Sequence, residues 1–227
     1  LDAMTGEKIK KLIKGNRGVD FEELKWLQPG LSWSPDSKKI VFAAKAGKGD
    51  VLHVVEVETG KGEKYELDIE GVFSASWSPL GNEIAYVGQS GNSSDIYIFD
   101  LNSQISKKIT NDIFSDSYPT WSGDGKNIAF VSDRGNKVSG EYDGFMYEHD
   151  YSQTDIYYIN VETKKIDRVT NTNHNESHPV WSKTSDNIFY TSDHNGVWNL
   201  YRHPISGSEN SEPCLLYTSP SPRDSSE

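Results

Sequence analysis

Short apolar runs alternate with polar turns along most of the chain, and one arrangement recurs in a fixed register. A tryptophan-serine pair marks the register, and an isoleucine stands seven residues after each tryptophan: Trp33 and Ile40, Trp77 and Ile84, Trp121 and Ile128, Trp181 and Ile188. The first three tryptophans are 44 residues apart. A turn such as Pro35-Asp36-Ser37 separates tryptophan from isoleucine, and an apolar run such as Val41-Phe42-Ala43 follows. The spacing therefore predicts a tight hairpin between two strands.

Two more strands follow in each repeat. The third strand begins at an acidic residue or an asparagine: Asp50, Asp95, Asp155 and Asn199. A second turn then leads into a fourth strand, so that each unit holds four short strands in roughly 44 residues, the size of a propeller blade. Because one unit cannot cover both of its faces, neighbouring units must stack. We expect the repeated tryptophans and isoleucines to be structural, with each tryptophan packed between neighbouring blades.

The predicted fold is all-β, a β-propeller of four-stranded antiparallel blades. We expect the propeller to be incomplete, with parts of at least five blades, and its parent to have six or more. The predicted divisions are the end of a preceding blade (1–14), an inter-blade insertion (15–32), two blades (33–70 and 71–112), a blade with an insertion at about 136–153 (113–172), a truncated blade (173–213) and a non-native tail (214–227).

The tail, residues 214–227, is predicted to be non-native because it resembles the translation of a DNA sequence used in sequencing. Residues Cys214–Asp224 match, residue for residue, one translated frame of a common transposase sequencing adapter. The alternative is a genuine linker rich in serine and proline. If the tail is excluded, the only cysteine is excluded with it, and no disulfide, zinc-thiolate or cysteine-nucleophile site is expected.

Insertions into a repeat are where function is usually found. Within the insertion at 15–32, the segment Asp20–Trp26 is compatible with a helical turn over a blade edge. The larger insertion alternates acidic and aromatic residues, as a loop that binds a cation, a sugar or a partner protein would, but also as a merely solvated loop would. Its candidate binding residues are Asp143, Tyr147, Glu148, His149 and Asp150.

The polar segments that precede the tryptophans supply the other candidates. Asp116 and Tyr118 occupy positions equivalent to those of Glu176 and His178, and such segments often line the axial channel or a rim of a propeller. We take Asp116, Tyr118 and His178 as candidate binding residues. No metal site is predicted, because the insertion lacks the spacing of a calcium loop and two lone histidines in a polar loop are usually solvated. Asp133-Arg134 and Asp193-His194, at the ends of second strands, are expected to order turns.

Composition and the lack of known motifs argue against nucleic-acid binding, membrane spanning and catalysis. The 227 residues carry 34 acidic and 23 basic side chains, a net charge of −11, and no basic stripe that would favour a nucleic-acid partner. No apolar stretch is long enough to span a bilayer. The sequence has no nucleophile elbow, zincin helix motif, phosphate-binding loop or dinucleotide fingerprint. We therefore expect no catalytic residue and no cofactor.

The segment Trp33–Phe42 resembles the Trp-Ser-Pro-Asp-Gly blade signature of TolB-like propellers, and Thr110-Asn111, Thr170-Asn171 and Ser132–Arg134 match it too. The resemblance covers residues 1–213 and departs at the large insertion and at Lys183–Ser185. It implies a propeller of the bacterial envelope, periplasmic or associated with the outer membrane. Similar propellers also occur in prolyl-oligopeptidase-type serine peptidases, and in envelope proteins with a metallopeptidase-like domain and a membrane barrel.

Two main hypotheses follow. The first is a non-catalytic scaffold that binds protein partners in the envelope. The second is the propeller that gates access to the active site of a serine peptidase whose catalytic domain lies outside this sequence. A third, weaker hypothesis is binding of a glycan, or of a peptide, by the aromatic loop Tyr142–Tyr151.

Overall fold

A computed structural model describes residues 4–8, 23–24, 30–46, 49–137, 149–205 and 212–213. Apart from a single 3₁₀ turn at His194–Gly196, the regular structure in these residues consists of strands. In chain order they are β1 (Glu23–Leu24), β2 (Ser32–Trp33), β3 (Lys39–Ala46), β4 (Gly49–Glu56), β5 (Gly62–Glu66), β6 (Gly71–Trp77), β7 (Glu83–Ser90), β8 (Ser93–Asp100), β9 (Ile105–Lys108), β10 (Asp116–Trp121), β11 (Asn127–Ser132), β12 (Asp155–Asn160), β13 (Ile166–Arg168), β14 (Glu176–Trp181), β15 (Asn187–Ser192), β16 (Asn199–Pro204) and β17 (Glu212–Pro213).

The strands form four antiparallel sheets, each built from consecutive strands, which we call blades 1 to 4. Blades 2, 3 and 4 are β6–β9, β10–β13 and β14–β17, and in each the strands pair in chain order. In blade 1, β1 and β2 pair side by side with opposite ends of β3, followed by β4 and β5. The predicted all-β propeller of four-stranded blades is therefore confirmed.

The first hairpin of each blade is closed by the polar turn that follows the tryptophan. In blade 3 the hydroxyl of Ser122 donates to Asp124 Oδ1 at 2.6 Å and accepts from the amide of Asn127 at 2.9 Å. Gly125 completes the turn with φ = +71°, in the left-handed region where glycine has no steric penalty. Serine takes this conformation at the equivalent positions Ser37 and Ser185, which explains why the repeat tolerates the loss of glycine there.

The core lies between the blades. Val41, Leu52 and Val54 of blade 1 pack against Val72, Trp77, Ile84 and Phe99 of blade 2, and equivalent clusters join blade 2 to blade 3 and blade 3 to blade 4. The tryptophans at these junctions are 7% (Trp77), 6% (Trp121) and 8% (Trp181) exposed, whereas Trp33, in the first described blade, is 50% exposed. Contacts run in series from blade 1 to blade 4, and among the described residues no substantial contact joins blade 4 back to blade 1.

The insertion before blade 1 departs from expectation. Glu23 and Leu24 pair with Lys45 and Ala44 as a strand, so a helical turn across Asp20–Trp26 is wrong for these two residues. The reason is that β2 covers only one end of β3, and the other end would present unpaired backbone groups. The remainder of that segment, most of 1–14 and the tail from Cys214 to Glu227 lie outside the described residues. No helix in the described part of the chain is long and apolar enough to cross a membrane.

Candidate functional site

In every blade the backbone is kinked three residues before the tryptophan, within the innermost strand in blades 2 to 4 and just before it in blade 1. The residue at this position has a left-handed backbone in each case: Gly30 (φ = +47°), Ser74 (+48°), Tyr118 (+52°) and His178 (+52°). The pairing of β6, β10 and β14 with the next strand shifts register at this point, as in a β-bulge. Because these innermost strands contact one another from blade to blade, the kinks form a row along the axial side of the molecule.

The kinks of blades 1 and 2 lie back to back. A Cβ added at Gly30 would lie 2.3 Å from the amide nitrogen of Ala75 and 2.4 Å from the Cα of Ser74. Because these are backbone atoms, neither is able to move away from an added Cβ, so only glycine fits at position 30. At this end of the row the surface is therefore built from backbone and one small side chain.

The kinks of blades 3 and 4 instead carry two rings in contact. The ring centroids of Tyr118 and His178 are 4.3 Å apart, with the ring planes at 43°. His178 is exposed and Tyr118 is half-buried. A bulky side chain with positive φ is strained by about 1–3 kcal/mol and is usually found where function or packing requires it. The pair therefore forms an aromatic platform on the axial side. The sequence indicates Tyr118 and His178 only as separate candidates and does not predict their contact.

A pocket of about 320 Å³ opens beside the platform, between blades 2 and 3. Ser117, which directly precedes Tyr118, lies on its wall with Asp116, Ser115, Ser93, Ser94, Gln89, Asn92, Phe73 and Val87. Apart from Asp116, the lining is uncharged. Hydroxyls and amides over an apolar floor suit a polar, neutral segment such as a stretch of extended peptide.

Asp116 itself is held by a buried ion cluster. The guanidinium of Arg134 donates to Asp116 Oδ1 at 2.6 Å and to Asp112 Oδ2 at 2.9 Å. The side chain of Arg134 is 1% exposed and lies over the rings of Phe114, Phe130 and Tyr157. Burial raises the pKa of Asp116 to about 6, and the charge of Arg134 opposes the rise. Asp116 is thus a structural anchor of the loop before β10, and Arg134 does far more than order a turn.

His149 extends this cluster to the end of the large insertion. Its Nε2 lies 3.2 Å from Asp133 Oδ2, and its ring contacts those of Phe114 (5.2 Å) and Tyr151 (4.7 Å). Asp133 also accepts a 2.9 Å hydrogen bond from the amide of Ser115. The insertion is therefore fixed to blade 3 where it re-enters the blade.

The remaining predicted residues divide in two. Asp150 accepts hydrogen bonds from the amide and hydroxyl of Ser152, and these bonds hold the pKa of its carboxyl below the usual value. It closes its own turn. Asp143, Tyr147 and Glu148 lie outside the described residues. Within the described ranges, histidines, aspartates and glutamates form no group of three or more that is able to hold a metal.

Comparison with known proteins agrees with this architecture. A family model described as the TolB beta propeller domain matches residues 24–139. No curated protein sequence matches the chain. Among solved structures, TolB from Acinetobacter baumannii is similar over 81% of this chain and 42% of its own, with a TM-score of 0.65 and 21% identity. A putative TolB from Agrobacterium tumefaciens is similar over 81% and 63%, with a TM-score of 0.67 and 20% identity.

The same fold occurs in an enzyme. A prolyl endopeptidase structure is similar over 84% of this chain and 29% of its own, with a TM-score of 0.58 and 17% identity. The chain thus spans less than two thirds of the length of each of these structures. At such identities the likeness establishes the propeller fold and leaves activity and partners open.

Proposed function

The chain belongs to the TolB β-propeller domain family, and we propose that it is a non-catalytic scaffold that binds protein partners in the bacterial cell envelope. The proposal places it in the periplasm or at the outer membrane. It assigns recognition to the axial platform of Tyr118 and His178 and to the neighbouring pocket between blades 2 and 3. No cofactor and no nucleic acid take part.

The observation that carries the proposal is the choice of residues at the four kinks. The backbone conformation is common to all blades and needs no ring, since glycine and serine serve in blades 1 and 2. Tyrosine and histidine at the other two kinks add steric strain while leaving the histidine exposed. Aromatic side chains supply large contact areas at low entropic cost and are enriched where proteins bind one another. A partner segment that crosses this platform would meet the serine-rich pocket directly beside Ser117.

A second candidate function has its own support. The likeness to a prolyl endopeptidase favours a propeller that controls access to a peptidase active site on another domain. The axial platform would then contact substrate peptides in transit. The two functions differ in what the complete gene encodes, since the second requires an α/β-hydrolase domain with a nucleophile elbow.

Site-specific photo-crosslinking in cells that express the complete gene tests the first proposal. A benzophenone amino acid in place of Tyr118 is expected to form a covalent adduct with one envelope protein, whereas the same probe in place of Tyr65, on the outer strand β5, is not. The identified partner should bind the purified protein at least ~10-fold more weakly after Tyr118→Ala and His178→Ala together. Equal adducts at both positions, or turnover of a chromogenic peptide by the complete protein, would overturn the scaffold function.

A further inference from the structure

Two buried carboxyl groups stand at equivalent places in blades 3 and 4. Asp116 and Glu176 each begin the innermost strand and lie opposite Ser132 and Ser192 on the next strand. Asp116 is 0% exposed and Glu176 is 1% exposed. An ionised carboxylate so deeply buried is costly unless a cation and hydrogen bonds compensate it. The two blades meet this demand differently.

In blade 3 the compensating cation is Arg134, two residues after Ser132. The equivalent residue of blade 4 is His194. Its ring lies 4.6 Å from that of His174 and 6.1 Å from that of Tyr201. His194 therefore packs with other rings, and no cationic partner of Glu176 is found among the described residues.

Hydrogen bonds reach only one oxygen of Glu176. The hydroxyls of Thr172 and Ser192 donate to Oε1 at 2.7 Å and 3.1 Å. Oε2 is buried and has no hydrogen-bond partner in the described part of the chain. One oxygen of this carboxyl group accepts two hydrogen bonds and the other accepts none. Such surroundings favour the neutral acid, with its proton on Oε2, over the carboxylate ion.

The charged groups nearby do not supply the missing cation. On β12 of blade 3, Asp155 is buried and pairs with Arg168 at 2.6 Å. On the rim, Asp193 lies 3.8 Å from His174 and accepts a hydrogen bond from the amide of Asn175. His178, two residues along β14, contacts Tyr118 on the axial side. Arg168 is thus paired with Asp155, and the negative charge of Asp155 opposes ionisation of Glu176.

We propose that Glu176 is a proton switch at the junction of blades 3 and 4, whose neutral form holds the junction closed and whose ionised form loosens the segment from Thr172 to His178. The switch stands independently of the proposed partner binding. Burial raises the pKa of Glu176 to about 7, with the charge of Asp155 acting in the same direction and the hydrogen bonds from Thr172 and Ser192 acting against it. The junction would therefore change state near neutral pH.

The sign of the effect follows from linkage. Because the folded-state pKa lies above 4.5, the ordinary pKa of a glutamate side chain, the folded protein holds the proton more tightly than the unfolded chain. The stabilisation is fully present below about pH 4.5 and is lost as pH rises through about 7. Each unit by which the folded pKa exceeds the unfolded value corresponds to about a tenfold change in the folding equilibrium constant.

Two measurements on the full chain test the switch. Carbon-13 NMR of glutamate carboxyl groups, assigned by Glu176→Gln, should show one glutamate that titrates near pH 7. Hydrogen exchange corrected for intrinsic rate should show protection of 172–178 falling by about 10-fold between pH 6 and pH 8. The variant Glu176→Gln, which keeps the shape of the neutral acid, should retain the protection at pH 8.

Asp116→Asn is the matched control. It removes the carboxylate that Arg134 holds, so it should reduce protection at 112–118 at both pH values and leave the pH response of 172–178 intact. A Glu176 titration near pH 4.5 would overturn the switch, and so would an unchanged pH response in Glu176→Gln. The titration curves themselves are recorded on the unmodified protein, so the absence of any glutamate that titrates near pH 7 would overturn the switch even if the Glu176→Gln variant fails to fold.

Discussion

Arg134 donates a 2.6 Å hydrogen bond to Asp116, and the side chains of both residues are shielded from solvent. The bond joins the end of one strand to the start of its neighbour, 18 residues away in sequence. A second bond from the same guanidinium reaches Asp112 in the loop between blades 2 and 3. One side chain therefore connects the blade to the loop that leads into it.

Replacing this arginine should be among the most damaging single substitutions in the chain. Arg134→Met retains much of the apolar contact with Phe114 and Phe130 but leaves Asp116 buried without its counter-ion, which should cost about 3–5 kcal/mol of unfolding free energy. Urea denaturation measures this loss. The control is Lys165→Met, which breaks a 2.7 Å ion pair whose lysine is 72% exposed and should leave the urea midpoint unchanged. If Arg134→Met and Lys165→Met lowered the urea midpoint equally, burial would not be what makes the ion pair of Arg134 and Asp116 strong.

The tryptophans that mark the repeat should contribute differently to the free energy of unfolding, depending on whether another blade covers them. Trp121 is 6% exposed and its indole donates to the carbonyl of Ser76 in the preceding blade at 3.2 Å. Trp121→Ala should therefore cost about 3–5 kcal/mol. Trp33→Ala, at a site that is 50% exposed, should cost less than half as much in the same denaturation experiment. Similar losses would mean that the packing between blades 2 and 3 is not what stabilises the stack.

Positions of strain at the kinks predict a stabilising substitution. Ser74 has φ = +48° and lies within the register shift of β6, which falls between Phe73 and Ser76. Ser74→Gly relieves the steric cost of this conformation and should raise the unfolding free energy by about 0.5–1 kcal/mol. The control, Ser76→Gly, lies on the same strand where Ser76 pairs regularly with Ala85, and it should lower stability by a similar amount. If Ser74→Gly also destabilises, the left-handed backbone carries no strain.

The four-stranded repeat is predictable from the sequence because its pattern is local. Each tryptophan, turn and apolar run lies within one hairpin, so their spacing alone predicts the blade. The contact of Tyr118 with His178 depends on how two blades sit against each other, and no periodicity encodes that angle. The sequence around Arg134 indicates only a turn, because its two carboxylate partners lie 18 and 22 residues away. A comparison of repeats would have revealed it, since Asp116 with Arg134 in blade 3 corresponds to Glu176 with His194 in blade 4.

The threonine of the Thr-Asn pair has a structural role that can be measured. Thr110 is buried, and its hydroxyl accepts a 2.9 Å hydrogen bond from the amide of Ile96 and lies 3.4 Å from Asp95 Oδ1. Thr170 repeats this arrangement with Ile156 and Asp155. Thr110→Val keeps the shape but leaves a buried amide without an acceptor, so it should cost about 1–3 kcal/mol.

Hydrogen exchange locates the effect of this substitution as well as measuring it. The amide of Ile96 should lose protection in Thr110→Val, while that of Ile156, served by Thr170, should not. The matched control is Thr163→Val, because the hydroxyl of Thr163 bonds to Asn160 in an exposed turn and its loss should leave both amides protected. Undiminished protection of Ile96 in Thr110→Val would show that the threonine hydroxyl is not what keeps β8 joined to the end of its blade.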